Sequence, residues 1–434
     1  MLKIIHLSLL LVAVSSPLLS AQSVADEIQQ RTGFGLPDRA GQTTPAFSLP
    51  PGVTSTATLT SRDAVAIALW NNTALQADLA NLDVSHADLV EAALFKNPSL
   101  SILLPVGAKP FESLLAWPIE ELWQRKQRVK AARLNVDAVA TGLVQNGLQL
   151  IRDVKIAHAD LWLAAARVRV LRESAELRTR ILSFSERRRD AGEGTGLDVN
   201  LSRSDAQSAS ALARIAEGDI DTAASRLRYL LGMRGQTTPL VANVDGTTRP
   251  TVPALTILLE TAASSRPDLR AAEIHIDSSA ERAKWQRSQV LAMMAPTLSI
   301  KEVGDSLLAG PGLNMEIPIL SRNQGRISRA DAEVVRAGRL YAALKDRIEQ
   351  EVVDAYTRYR QAETSLALLR EQVRPSAEQS IQLSQRAFES GDILLLTVLE
   401  ATKQKFDIDL REAEAEAAMH RALADLERAV GRTL

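Results

Sequence analysis

The sequence predicts a mainly α-helical, twice-repeated fold of very long helices, interrupted by two β-hairpins long enough to cross a membrane. Three observations carry this expectation: an internal duplication at a spacing of 198 to 200 residues, apolar heptads running along the longest segments, and period-two alternation just before each of those segments. Composition agrees, since 46% of the 434 residues are hydrophobic but only 4% aromatic, with many Ala, Leu, Glu, Arg and Gln. The balance of 51 basic against 52 acidic residues gives no electrostatic case for nucleic acid. The absence of cysteine excludes a disulfide framework, a thiolate metal site, a cysteine nucleophile and a lipid anchor carried on an amino-terminal cysteine.

At the amino terminus Lys3 precedes an apolar run over 4–14, and Pro17 with the small residues Ser20 and Ala21 follows. This is the three-part layout of a cleaved export signal over residues 1–21, with the mature chain starting near Ala21 or Gln22. No later stretch offers about 18 consecutive apolar residues, so no membrane-spanning helix is expected. Residues 22–59, rich in Gly, Pro, Ser and Thr, read as an irregular arm.

The remainder reads as two copies of one unit, 60–232 and 254–434, joined by a linker over 233–253. NPSLSI at 97–102 recurs as APTLSI at 295–300, and Pro118 matches Pro318. Arg128 and Val129 match Arg326 and Ile327, Gly192 matches Gly391, and Leu231-Gly232 matches Val430-Gly431. Leu75 and Leu269 pair at a slightly smaller offset. Matches in the same order along both copies are the signature of tandem repetition.

Each unit reads as helix, hairpin, very long helix, glycine turn, helix. In the first, a helix runs from Thr60-Ser61, with Asp63 in its first turn, to about Phe95, where Asn97-Pro98 stops it. A hairpin over about 98–119 follows: Leu100, Ile102 and Leu104 alternate with serines, 107–110 turns, and Leu114, Ala116 and Pro118 lead back. The second hairpin, about 296–319, alternates through Leu298 and Ile300, turns over 304–312 and returns through Leu313, Met315, Ile317 and Ile319. Four strands of roughly eight to ten residues result, the length of a tilted bilayer crossing.

After each hairpin the pattern is helical for an unusual distance, about 120–189 and 325–389, approaching ~100 Å at 1.5 Å per residue. Val136, Leu143, Leu150, Ala157, Ala164 and Leu171 repeat every seven residues, with a partner row through Ala140, Gly147, Val154, Leu161, Val168, Ala175 and Leu182. A further row, Ile156, Leu163, Val170, Leu177 and Phe184, asks for neighbours on a second side, as in a wall of helices. Val334, Tyr341, Ile348, Ala355, Ala362 and Leu369 repeat the first seam in the second copy, where Pro375 is expected to kink the helix. Four strands cannot close in lipid, where a barrel needs about eight, so they are either membrane strands of an oligomer or hairpins capping a soluble helical bundle.

These residues resemble the outer-membrane efflux proteins, the TolC-like outer-membrane factors of tripartite pumps and type I secretion. The likeness runs through TSRDAVAIALWNNTALQA, NPSLSI, AGEGTGLDVN, SRPDLRAAE, APTLSI, GLNMEIPILSRNQGRI and RAFESGDILLLTVLEATKQ, and through the closing Leu-Gly and Val-Gly. It implies a homotrimer in which four strands per chain build a twelve-stranded β-barrel in outer-membrane lipid, continued into the periplasm by a barrel of tandem-repeat long helices. It further implies an exit duct without enzymatic activity or cofactor, working with a periplasmic adaptor protein and an inner-membrane pump of the RND, ABC or a similar class. Heavy-metal resistance is the branch it is most similar to. A soluble periplasmic coiled-coil adaptor or structural protein is the alternative, though adaptors carry one helical hairpin in a β-rich domain and this chain has two units.

No catalytic constellation accompanies these elements. Five histidines include no His-Glu-x-x-His, and His86, His158, His275 and His420 each stand alone in helical stretches. GEGTG at 192–196 follows a helix and lacks a P-loop lysine, so it is a turn. Six residues after Gly192 and Gly391 come Asp198 and Thr397, the positions where the resemblance places an acid, and Glu400 lies one helical turn beyond Thr397. Converging at a periplasmic tip, Asp198 or Glu400 would form threefold rings of like charge suited to cation selectivity and gating; Asp198 equally suits helix capping, and Glu400 a solvated surface. Gly192, Thr195, Gly196, Gly391, Asp392, Ile393 and Leu394 are the candidates for tip turns and adaptor docking. Ile393 stands where related tips carry an arginine, so a closing ion pair there is missing or replaced.

Overall fold

A computed structural model describes residues 18–37, 46–53, 58–107, 109–236, 238–243, 251–290 and 294–434. Most of the expected export signal lies outside the described residues. The irregular arm is corrected at its start, because α1 (Leu18–Thr32) is helical. Ile28 is fully buried, with its Cδ1 only 2.9 Å from where a Cβ on Gly147 would stand. Arg31 pairs with Glu27 at 2.7 Å and donates to the carbonyls of Ser265 and Gly431. The sequence carried this signal in Val24 and Ile28 at i, i+4, beside the Glu27–Arg31 pair at the same spacing.

Strand β1 (Thr58–Thr60) leads into α2 (Ser61–Asn71) and α3 (Thr73–Ala93), so the single helix expected to about Phe95 is broken at Asn72. A capping box between Thr60 and Asp63 opens α2. Asn72 then adopts an extended backbone, and its side-chain oxygen accepts the Leu75 N–H at 3.0 Å, starting α3.

Strands β2 (Ser99–Leu103) and β3 (Glu112–Ala116) form the first hairpin, and α4 (Glu121–Asp190) follows as a single helix of 70 residues, about 105 Å. Next come α5 (Gly196–Leu230) and β4 (Val241–Asn243), which pairs in parallel with β1. Helix α6 (Leu255–Ser265) gives way to α7 (Pro267–Ser288), where Pro267 occupies the first turn that tolerates it. The second hairpin is β5 (Met294–Val303) and β6 (Ser306–Met315), leading to α8 (Gln324–Leu368). A π-turn (Leu369–Val373) joins α8 to α9 (Arg374–Glu389), and α10 (Leu395–Val430) closes the chain. Pro375 acts here as expected, and the mechanism is specific: Arg374 N–H reaches Leu369 O five residues back, and the widened turn makes room for the proline ring.

Two details of the hairpins differ from expectation. The first-copy strands are five residues each, shorter than the eight to ten expected, whereas β5 and β6 have ten. The second turn is only Gly304-Asp305, and β6 runs straight through Gly310-Pro311-Gly312, which had read as part of the turn. An edge strand tolerates proline, and Gly312 lies against Thr297, whose Oγ1 would be 2.6 Å from an added Cβ.

The fold divides into two compact units that do not follow the repeats, because each long helix contributes to both. One unit holds 77–144, 267–346 and the described residues up to 24, including the four-stranded antiparallel sheet of order β2-β3-β5-β6. Inside it Ser278 donates to the Ala131 carbonyl, and Lys130 and Lys284 both pair with Glu281. The other unit holds 25–76, 145–266 and 347–434, including both glycine turns. Its core is built from the heptad rows: Leu150, Val154, Ala157, Leu161, Ala164 and Val168 are buried, as are Ile348, Val352, Ala355, Tyr359 and Leu366. Gly232, at φ +69°, lets α2 approach closely, for a Cβ there would stand 2.3 Å from the Asn71 carbonyl oxygen. Arg266 is buried and pairs with Glu351 at 3.0 Å, which Arg428 also meets at 2.6 Å.

Candidate functional site: a two-faced sheet and paired glycine turns

The pairing register sorts the sheet into rows. Leu100, Leu115, Leu298 and Pro311 align across all four strands, and two residues further along Ile102, Ser113, Ile300 and Ala309 do the same. The intervening rows are Ser99, Ala116, Thr297 and Gly312, then Ser101, Leu114, Ser299 and Gly310. Successive residues on a strand point to opposite sides, so one face of the sheet is mainly apolar and the other mixes hydroxyls and glycines with Leu114 and, one row further, with Leu103, Glu112, Lys301 and Leu308. Glu112 and Lys301 form an ion pair at 2.5 Å on the mixed face. Leu100, Leu298, Leu307 and Leu313 on the apolar face are exposed, and β2 and β6 are edges that nothing among the described residues pairs. Such a surface asks for lipid on one face and for further strands at both edges.

The two glycine turns lie together in the other unit. At the first, Gly192 takes φ +81°, and the N–H groups of Glu193 and Gly194 both donate to the Arg188 carbonyl, ending α4. Thr195 then caps α5. Its hydroxyl accepts the Asp198 N–H at 3.2 Å, and Asp198 Oδ2 accepts both the Thr195 hydroxyl at 2.7 Å and the Thr195 N–H at 3.2 Å. Asp198 is therefore the third helical residue of a capping box, with Thr195 rather than Asp198 as the N-cap.

At the second turn Gly391 takes φ +85°, Asp392 N–H donates to the Ala387 carbonyl, and Ser390 Oγ donates to the Asp392 carboxylate at 2.5 Å. Leu394 occupies the position corresponding to Thr195 and makes no side-chain cap. Ile393 is half-buried against a cluster of Ile181, Phe388, Leu395 and Val398, flanked by Phe184. Apolar packing thus stands where the resemblance leads one to look for a closing arginine. Thr397 and Glu400 are exposed, and Glu400 has no ion-pair partner among the described residues. Leu197, Leu394 and Leu396 are 67%, 77% and 70% exposed, Leu197 and Leu396 each being the second residue of a helix that follows a turn.

Three features at these turns went unread in the sequence. The Phe184 and Phe388 rings meet at 5.2 Å, tilted by 58°, each beneath an arginine, Arg187 and Arg188 respectively. Arg188 also approaches Gly391, its Nη2 being 3.8 Å from where a Cβ would be. The run of arginines at the end of α4 was the available signal, since cations suit a helix carboxyl terminus.

Residues 258–432 match the sequence profile of a family described as Outer membrane efflux protein. Over that stretch the chain is similar to outer membrane efflux proteins. Among its relatives, the cobalt-zinc-cadmium resistance protein CzcC of Cupriavidus metallidurans is 24% identical over 381 residues, covering 86% of this chain and 90% of that protein. The fold is that of solved outer-membrane channels. The channel OprN superposes with a TM-score of 0.71 at 19% identity over 90% of this chain and 99% of OprN. CusC gives 0.72 at 19% identity over 91% and 99%. A sheet left open in one chain fits a barrel closed by several chains.

Proposed function

We propose that this chain is one third of an outer-membrane exit duct, which passively conducts substrate handed over by a periplasmic adaptor and an inner-membrane pump. The observation that carries the reading is the four-stranded sheet with one mainly apolar face, one mixed face and two edges unpaired among the described residues. Strands β5 and β6, at ten residues, span about 33 Å, enough to cross the apolar band of an outer membrane when tilted. Three copies supply twelve strands and close the edges, whereas one copy left open would expose unpaired backbone to lipid. With a turn of only Gly304-Asp305 in one hairpin, little protein stands across the outer mouth.

The glycine turns are the inner, periplasmic end of the duct, and the exposed Leu197, Leu394 and Leu396 offer the adaptor an apolar footing. Glu400, exposed and without an ion-pair partner among the described residues, is the stronger candidate for a ring of charge. Asp198 is committed to its capping box, so Asp198→Ala would disturb the turn as well as remove a charge. Asp198→Asn keeps an acceptor and is the cleaner variant. In combination with Glu400→Ala it is expected to lower cation preference or raise passive uptake of large antibiotics; unchanged conductance and uptake would dismiss both residues as gate. On the likeness to CzcC, cobalt, zinc and cadmium are the cargo to test first, as cations carried by the assembled pump.

The deciding measurement is the native mass of membrane-extracted protein, corrected for bound detergent. A detergent-dependent trimer supports the duct. A detergent-independent monomer or dimer overturns it in favour of a periplasmic coiled coil.

A further inference from the structure

The mixed face of the sheet changes character along its length. In the row nearest the helices it carries Ser99, Ala116, Thr297 and Gly312, all small. In the row nearest the hairpin turns it carries Leu103, Glu112, Lys301 and Leu308, all large, and the row between them holds Leu114 among two serines and a glycine. Each of the four strands thus goes from a small side chain on this face to a long or branched one. The small end is enforced by packing: a Cβ on Gly312 would stand 2.6 Å from Thr297 Oγ1, so that position admits no side chain without displacing its neighbour.

Trp117, 58% exposed, continues the opposite face at its helix end, beside Pro296 and Leu313, and an aromatic there suits a lipid–water boundary. In a closed barrel that face meets lipid, and the mixed face lines the lumen. Two further observations bear on the outer end. The second hairpin turns in Gly304-Asp305, too short to fold across the mouth, so bulk at that level comes from strand side chains. Glu112 and Lys301 hold the only formal charges on the mixed face among the described strand residues, and they are paired with each other at 2.5 Å. The remaining charge in these strands, Glu302, lies on the opposite face and accepts the Phe111 N–H at 3.2 Å.

We infer that Leu103, Leu308 and the Glu112–Lys301 pair form a charge-compensated girdle, a narrowing just inside the outer mouth that limits the size of what passes and leaves that passage without preference for either ion sign. The inference rests on the duct reading and adds to it a filter built from residues other than those of the glycine turns. Threefold symmetry sets three Glu112–Lys301 pairs at one level, each pair bridging neighbouring strands. A twelve-stranded barrel is wider than its side chains can fill, so the girdle narrows the lumen without sealing it. Neutrality has a use at an exit. Lys301 occupies the one carboxylate on this face, so a departing cation meets no free ligand there and is released instead of held. An anionic cargo meets no free ammonium either. Removal of one partner leaves three like charges in a confined space, where their fields add.

The test uses intact cells expressing the full chain, and the absence of native cysteine makes single introduced thiols unambiguous. Each variant is first checked for the detergent-extracted trimer. Membrane-impermeant methanethiosulfonates should modify Thr297→Cys, on the mixed face helix-side of the girdle, and spare Leu298→Cys on the opposite face. Equal labelling of the two, or absence of the trimer in the wild type, fails the duct reading irrespective of the girdle. In Thr297→Cys alone, a cationic and an anionic reagent are expected to react at similar rates. Adding Glu112→Gln should favour the anionic reagent about fivefold, and Lys301→Gln the cationic one about as much, the size expected for three screened charges nearby. Exchanging the pair, Glu112→Lys with Lys301→Glu, should restore the original ratio. For size, a polymer maleimide that fully labels Ser306→Cys, mouthward of the girdle, is expected to miss Thr297→Cys, and Leu103→Ser with Leu308→Ser should admit it. The girdle is overturned if neither single substitution moves the reagent ratio, if both move it the same way, or if the polymer reaches Thr297→Cys as readily as Ser306→Cys with the girdle intact.

Discussion

The two glycine turns begin from matching sequence positions and end with different physics. Around Gly192 the helix start is self-contained: Thr195 and Asp198 satisfy each other's backbone groups within four residues. Around Gly391 the corresponding pair is Leu394 and Thr397, which cap nothing, and the turn depends on Ile393, Leu395 and Val398 packing against Ile181 and Phe388. A turn held by its own hydrogen bonds keeps its shape when a neighbour leaves. One held by a neighbour's side chains loosens when that neighbour is withdrawn. The duplication thus produced one turn that is rigid by local chemistry and one whose order is conditional.

This contrast can be broken most severely at Phe388. Phe388→Ala empties the cluster and is expected to cost the second turn about 3 kcal/mol or more of local stability, read as accelerated amide exchange from Phe388 through Val398. Exchange at the first turn of α5 should not change; parallel acceleration there would refute the independence of the two turns. Next in size, Thr195→Ala should weaken the start of α5 by about 1 kcal/mol and leave α10 unaffected. Leu394→Thr with Thr397→Asp transplants the capping box and should slow exchange in the first turn of α10 by a similar free energy, making the two turns alike.

The smallest effect is in pH dependence. Burial pulls His420 below its ordinary value of 6.5; Glu416 opposes the shift, while His158 and Arg370 add to it. A depressed folded-state value means the native form takes up its proton later than the unfolded chain. The stabilisation is therefore complete above about pH 6.5 and is lost as pH falls through the folded-state value. Thermal stability should decline over this range in the wild type and decline less steeply in His420→Gln, most visibly in α9 and α10, since the corresponding first-copy position, Asp221, is an exposed acid.

Much of the architecture was legible because it rests on long-period signals. Heptads over 136–171 and alternation over 298–300 survive local noise, and Pro375 marks the break in the second long helix wherever its neighbours lie. The helix break at Asn72 was written more quietly, in a single side chain able to cap the following helix. Helix α1 was obscured by the glycines and prolines that follow it, since the turn-rich composition of 33–52 was extended back over a segment with its own apolar spacing. At the candidate site, Gly192 and Gly391 announced the turns. The ion pairs of Arg370 and Arg374 with Glu412 and Glu416 could not be read, because residues about forty positions apart meet only after two helices fold back on each other.

The inequality of the two turns also bears on counting. A threefold ring of this chain would present six helix ends of two alternating kinds, one capped and the other carried by its neighbours. A partner binding in three copies needs to recognise only one kind. A partner binding in six copies cannot occupy six equivalent places, and must either tolerate two distinct surfaces or adopt two conformations of its own.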